Sequence, residues 1–289
     1  LGTVRALYDF NHFRILPPRL HRSGAGEPMI LLNQDVVMKE LVALLLLALR
    51  IGALFAAAPV LSATAITLPI RIALTFAVVL AMYGTIKVPD VDLLSPVAVL
   101  VIVREILIGL AIGLIFQLAF AAITATGEQI AGAMGLGFAA MVDPQTGAQS
   151  PVIAQFLGIM LTMIFLVTEG HHVLLKQLAA SYEALPIGTD FNTDMFLGIV
   201  KAGSLVFSAG LLIAAPALFL IFLTNMIIGF ITRVAPQMNI FSIGFTITII
   251  MGFAVLLVSL PTIGNGMSSL LQAVAAIVRD LILGKGAPA

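Results

Sequence analysis

Long apolar stretches separated by short polar joints dominate the chain. Six of them run from Val36 to Leu61, Ile66 to Ile86, Val97 to Ala125, Val152 to Thr168, Leu205 to Ile231 and Ile240 to Leu260. Each reaches, or nearly reaches, the ~20 apolar residues that a membrane-depth helix needs. A seventh stretch, Met267 to Leu283, is amphipathic: Leu270, Leu271, Val274, Ile277, Val278 and Leu281 fall on one helical face. No strand-like alternation competes with this pattern. The expectation is an all-α, polytopic membrane protein of about six hydrophobic, partly kinked helices. The first stretch has the outline of a secretory signal, with Lys39 before an apolar core and Ala63-Thr64-Ala65 after it. Glu40, Arg50 and the length of the run make it a retained helix instead.

Two kinds of residue interrupt the apolar runs. Pro59, Pro69, Pro216 and Pro261 predict kinked or broken helices. Arg50, Arg71, Arg104 and Glu105 are charges within apolar surroundings. A charge at the bilayer centre costs at least ~2.5–3.5 kcal/mol on insertion scales. These side chains therefore need partners, water or a location outside lipid.

Composition narrows the class further. Hydrophobic residues make up 61% of the 289 positions and charged residues 10%, with a mean hydropathy of +1.15. So few charges cannot cover a water-facing surface, for which about 25% is usual. Cysteine and tryptophan are absent and only 3 tyrosines occur. That removes thiolate chemistry and leaves a weak interfacial aromatic belt. A formal net charge of 0 argues against a nucleic-acid partner. Residues 1–28 differ from the rest, with Arg5, Arg14, Arg19 and Arg22 against Asp9 and Glu27. Met29 reads as the native start, with 1–28 a leader upstream of a single domain over 29–289. Basic residues lie on both presumed sides, so they assign no orientation.

The chemistry-bearing segments are few. Gly109 and Gly113 have the G-x-x-x-G spacing that permits close helix approach. Beyond them, Thr126 to Pro151 reads TGEQIAGAMGLGFAAMVDPQTGAQSP. In it Gly132, Gly135 and Gly137 free the backbone to bend. Phe138, Met141 and Val142 form an apolar knuckle, and Asp143-Pro144 supplies turn chemistry. Such a loop, about 132–150, can seal a constriction by excluding water; an ordinary re-entrant or surface loop with an apolar anchor fits the same residues. Glu169-Gly170-His171-His172 lacks the i, i+4 histidine spacing of a helical zinc site, and the histidines fit a helix end near water. Asn225, Arg233, Gln237 and Asn239, with Pro236 after Arg233, place polar groups in an apolar region where each needs a hydrogen-bond partner. They read either as a capped turn or as an inter-helix corner against neighbouring subunits. There is no H-E-x-x-H, no G-x-S-x-G and no phosphate-binding loop. No catalytic, cofactor or metal site is therefore assigned.

Taken together, GEQIAGAMGLGFAAMVDP (Gly127 to Pro144), GHHVLLKQLAASYEALPIG (Gly170 to Gly188) and NMIIGFITRVAPQMNIFSIGF (Asn225 to Phe245) resemble the FliR family, whose injectisome relatives are the SctT subunits. The likeness runs from about Met29 to the C-terminus, and RVAPQMNIFSIG favours the flagellar branch. It implies a non-enzymatic core subunit of the flagellar type III export gate, in the bacterial inner membrane at the basal body. It further implies assembly with FliP- and FliQ-type proteins, contact with an FlhB-type switch protein, and passage of unfolded flagellar proteins. On that resemblance the central loop plugs the closed pore, with Phe138, Met141 and Val142 as its seal. Arg104, Glu105, Glu128, Asn225, Arg233, Pro236, Gln237 and Asn239 would then hold structural or inter-subunit contacts. The competing readings are an injectisome export-gate subunit and a stand-alone small-solute transporter with a site at Arg104, Glu105 and proline-broken helices.

Overall fold

The structure is a computed structural model that describes residues 34–62, 66–86, 88–89, 95–136, 152–188, 193–234 and 244–283. The chain falls into two units, Leu1–Val37 and Met38–Ala289. The leader expected over 1–28 lies outside the described residues. Among the described residues there are seven helices: α1 (Gln34–Ala57), α2 (Leu68–Met82), α3 (Pro96–Ala133), α4 (Val152–Val167), α5 (Gly170–Ala184), α6 (Thr193–Val234) and α7 (Phe245–Ile282). The all-α, multi-pass architecture is thus as the hydrophobic pattern predicts.

The arrangement of spans is more uneven than six similar helices. α1, α3, α6 and α7 are long and apolar enough to cross a membrane. α4 and α5 meet that standard only together, bent by 64° at their junction. α2, with 15 residues, is short. By contrast α3 and α7 have 38 residues and α6 has 42, giving about 57 and 63 Å at ~1.5 Å per residue. A ~30 Å hydrocarbon layer crossed at a steep ~40° tilt accommodates only about 40 Å of helix. Leu197 and Val234, near opposite ends of α6, both expose their apolar side chains. Part of that exposed apolar length must therefore be covered by something other than lipid tails.

The prolines behave differently from one another. Pro69 sits in the first turn of α2, where its missing N–H is no loss, and Pro59 follows the end of α1. Pro216 and Pro261, expected to kink or break their helices, lie inside α6 and α7, which continue through them unbroken. Apolar surroundings tolerate such prolines because neighbouring groups re-satisfy the freed backbone. α7 accordingly joins the stretch ending at Leu260 to the amphipathic stretch from Met267. At the joint, a Cβ on Gly266 would lie 2.8 Å from Ile213 Cγ1. That glycine admits a close neighbour from α6 within an unbroken helix.

The core forms around α3. Its buried Ile112, Phe116, Ala119 and Ile123 pack among Leu46 and Leu54 of α1, Leu157 and Phe165 of α4, and Val206 of α6. Phe165 meets Phe116 and Phe120 edge-on, with ring centroids 6.4 and 5.8 Å apart. On α7, the predicted face of Leu270, Leu271, Val274, Ile277, Val278 and Leu281 is buried throughout. Glycines set the closest approaches. A Cβ on Gly109 would run into the backbone oxygen of Arg50, and one on Gly113 would lie 2.9 Å from Leu54 O. The G-x-x-x-G spacing is thus the α1–α3 crossing.

Candidate functional site

Two polar centres lie toward opposite ends of α3. The first is built on Arg50, which projects from apolar α1 and has no exposed surface. Its Nε donates to Glu105 Oε2 at 2.7 Å and its Nη2 to Oε1 at 2.9 Å, a fork-on-carboxylate pair of the strong, geometrically specific kind. Nη1 donates to the carbonyl and hydroxyl of Ser181, at 2.9 and 3.2 Å, and Nη2 also to Leu185 O at 3.0 Å. A guanidinium has five N–H donors, and these five bonds use them all. Tyr182 closes the cluster, its ring 4.2 Å from the guanidinium carbon and its hydroxyl donating to Leu47 O at 3.1 Å. The expectation that the buried charges need partners is met for Arg50 and Glu105. Arg104, its neighbour, is half-buried on another side of α3.

Glu105 is 1% exposed, with both oxygens engaged by Arg50 of the same chain. It offers no carboxylate to a solute. Neither do Pro216 and Pro261 open helix ends toward one. The stand-alone transporter site imagined at Arg104 and Glu105 has no such geometry. Sequence reasoning flagged Arg50 and Glu105 separately but missed Ser181, Tyr182 and Leu185. These lie in and just after α5, a helix too polar to stand out beside the apolar runs. The Glu169–His172 segment forms the α4–α5 elbow, with Glu169 in the left-handed region at φ 57°. The His171 and His172 rings lie 4.2 Å apart, tilted by 40°, at the start of α5.

The second centre is the C-terminal end of α3. Gly127 lets α4 approach, since a Cβ there would lie 2.5 Å from Ala154 Cα. Thr126 Oγ1 donates to Gly210 O of α6 at 2.9 Å. Met134 is fully buried and occupies the space that a Cβ on Gly252 of α7 would need, 2.5 Å from its Cγ. The helix then stops in a Schellman cap. Gly135 turns left-handed at φ 80°, its N–H donating to Gly132 O at 2.9 Å, and Leu136 N–H donates to Ala131 O at 3.0 Å. Of the glycines expected to bend this segment, Gly135 makes the turn. Gly132 is still helical, with nothing near its missing Cβ.

A carbonyl left open by this ending is met from α6. Asn225 Nδ2 donates to Ala133 O at 3.1 Å, and its Oδ1 accepts from Thr248 Oγ1 of α7 at 3.4 Å. Asn225 thus bonds helices of the same chain, where the sequence suggests a capped turn or a corner against neighbouring subunits. Glu128 is exposed on α3, and Arg233 is exposed in the last turn of α6. Gly137, Phe138, Met141, Val142, Asp143 and Pro144 lie outside the described residues, as do Pro236, Gln237 and Asn239.

Comparison with known proteins fits this architecture. Residues 41–274 match the family described as "Bacterial export proteins, family 1". The flagellar biosynthetic protein FliR of Escherichia coli (strain K12) is 35% identical over 235 residues, covering 81% of this chain and 90% of that protein. The FliR of Pectobacterium carotovorum subsp. carotovorum is 36% identical over 234 residues, with the same coverage. That of Bacillus subtilis (strain 168) is 29% identical over 244 residues, covering 83% and 94%.

Proposed function

Because the chain belongs to the bacterial export proteins, family 1, and is a multi-pass membrane subunit of the flagellar type III export apparatus, we propose that it forms part of the export gate and closes it with the loop after α3. The observation that carries this reading is how α3 ends. Met134 is wedged against α7, Gly135 caps the helix, and Asn225 ties the Ala133 carbonyl to α6. A loop leaving such a point has a fixed root. The sequence that follows is apolar at Phe138, Met141 and Val142, residues that exclude water and ions when they meet in a constriction. In this reading the residue types Gly137 and Asp143-Pro144, which favour bends and turns, let the segment fold back and swing aside.

In this reading the chain is a structural and gating component. Unfolded flagellar proteins pass the opened loop, and the energy for transport enters elsewhere in the apparatus. FliP- and FliQ-type subunits and an FlhB-type switch protein are the proposed neighbours. The ~63 Å length of α6 supports this, since its exposed apolar residues, from Leu197 to Val234, outrun the bilayer and need apolar protein beside them.

Replacing Phe138 and Met141 together by glycine tests the plug. The gate is expected to assemble normally and to leak ions across the membrane; unchanged conductance in an assembled gate would refute the plug. Purification of the tagged chain in mild detergent tests the assembly. FliP- and FliQ-type proteins are expected to stay bound, and recovery of the chain alone despite their co-expression would refute it.

A further inference from the structure

The geometry points to α2 as a docking surface for an apolar helix of a neighbouring protein, one that places a carboxylate against Arg71. This rests on the reading of the chain as a subunit of a larger export assembly. α2 has 15 residues, of which Thr75 and Val79 are buried. Thr75 faces α1, with its Cγ2 3.7 Å from where a Cβ on Gly52 would stand. Around the rest of the helix Leu68, Ile70, Ile72, Leu74, Phe76 and Leu80 are exposed.

Arg71 sits at the edge of the buried stripe, four residues before Thr75, and is half-buried. Its Nε is shut off from solvent and has no hydrogen-bond partner. Nη2 reaches only Ile66 O, at 3.5 Å, the outer limit of a hydrogen bond. Among the described residues it makes no ion pair. The contrast with Arg50, whose donors are all used, is plain. A half-buried guanidinium with most of its fork unused lacks an acceptor, and a carboxylate matches that fork in charge and shape.

Lipid is a poorer cover than protein. At about 22 Å the helix falls short of the ~30 Å hydrocarbon layer, and with exposed apolar residues over most of its girth it has no broad polar face for lying in the interface. An arginine serving a lipid headgroup extends its charged end into the wet interface, whereas here Nε is enclosed. A protein helix carrying Asp or Glu among apolar residues satisfies both the charge and the surface. For that helix, Arg71 would offset the cost of its own buried carboxylate.

The test uses full-length chain in assembled gates, with a photo-reactive benzoylphenylalanine at Phe76. Adducts are expected on another export-apparatus protein, within an apolar helix that bears Asp or Glu. Arg71→Glu is expected to cut the adduct at least about tenfold, and changing the partner's carboxylate to lysine is expected to restore it. Should the Arg71→Glu chain fail to accumulate, Arg71→Gln is read in the same way, with the same loss expected. Adducts on phospholipid alone, or yields unchanged by both variants, overturn the docking surface. Failure of the unmodified chain to co-purify with any export protein overturns the functional reading beneath it. Co-purification that persists without a protein adduct at α2 strikes the docking surface only.

Discussion

The two polar centres on α3 lie 28 residues apart, from Glu105 to Ala133, or about 42 Å along the helix. At the first, the Arg50 guanidinium is fully enclosed, all its donors are used, and its bonds tie together α1, α3 and the end of α5. At the second, an exposed Asn225 makes one good bond and accepts one of 3.4 Å. Burial makes the first centre costly to alter, because a charge left alone there has neither water nor partner. Exposure makes the Asn225 bonds at the second cheap to replace, although Met134 beside them is fully buried. The same helix is thus locked by a buried ion pair near one end, while at the other Met134 and the Gly135 cap fix the root of the proposed plug and Asn225 adds only a light polar tether.

Removing the lock is the severest way to test this contrast. Glu105→Ala is expected to destabilise the chain by about 3–5 kcal/mol, since it strands a buried arginine. Thermal melting in detergent and accumulation in the membrane are the measurements. Replacing Arg50 and Glu105 together by leucine should recover most of the loss, because an apolar pair has no charge to desolvate. If the double variant is as unstable as the single one, stability resides in the bonds to Ser181 and Leu185 rather than in the ion pair. A smaller loss, about 1–3 kcal/mol, is expected of Gly109→Val, which forces a side chain into the α1–α3 crossing where Arg50 O already stands. Melting no lower than that of the unaltered chain would mean that the crossing is looser than the structure shows.

These two sites also mark what the sequence makes legible. Apolar run length announces the long helices, and the spacing of Gly109 and Gly113 announces a close crossing. Buried charge announces that Arg50 and Glu105 need partners. Their pairing across 55 positions, and the reach to Ser181 across 131, are tertiary facts that no local pattern encodes. The apolar pattern alone does not mark α5 as a helix, because His171, His172, Lys176, Gln177 and Glu183 dilute its apolar content, although Leu174 and Leu178 are buried. Of the kinked or broken helices that Pro216 and Pro261 predict, the broken alternative is not found. A proline removes one hydrogen bond, but an apolar neighbourhood penalises breaking the helix even more. At the α3 end the glycine cluster foretells a bend, while only φ separates Gly135, which makes it, from Gly132, which does not.

That separation predicts opposite effects from the same substitution. Gly135→Ala places a Cβ in the left-handed region and is expected to cost about 1–2 kcal/mol. Gly132→Ala, helical with open space around it, should be neutral or stabilising by up to about 1 kcal/mol. Beyond stability, misplacing the root of the proposed plug should make Gly135→Ala gates leak ions while Gly132→Ala gates stay tight. Equal leakage in both would show that the seal does not depend on how α3 ends.

The smallest effect is expected at the lightly tethered corner. Asn225→Ala removes the bond to Ala133 O and the weaker one from Thr248, whose hydroxyl keeps its bond to Gly244 O at 2.9 Å. Side-chain hydrogen bonds between membrane helices average ~0.6 kcal/mol, and water can reach this exposed corner to replace what is lost. Global melting should therefore shift little. The local consequence should be larger than the global one, because Ala133 is only two residues from the Gly135 turn. Hydrogen exchange at Met134 to Leu136 is expected to quicken by roughly threefold, the factor that ~0.6 kcal/mol supplies, while exchange around Glu105 stays unchanged. Equal acceleration at both ends of α3 would mean that the helix responds as one rigid rod. The difference between lock and tether would then be one of geometry without energetic consequence.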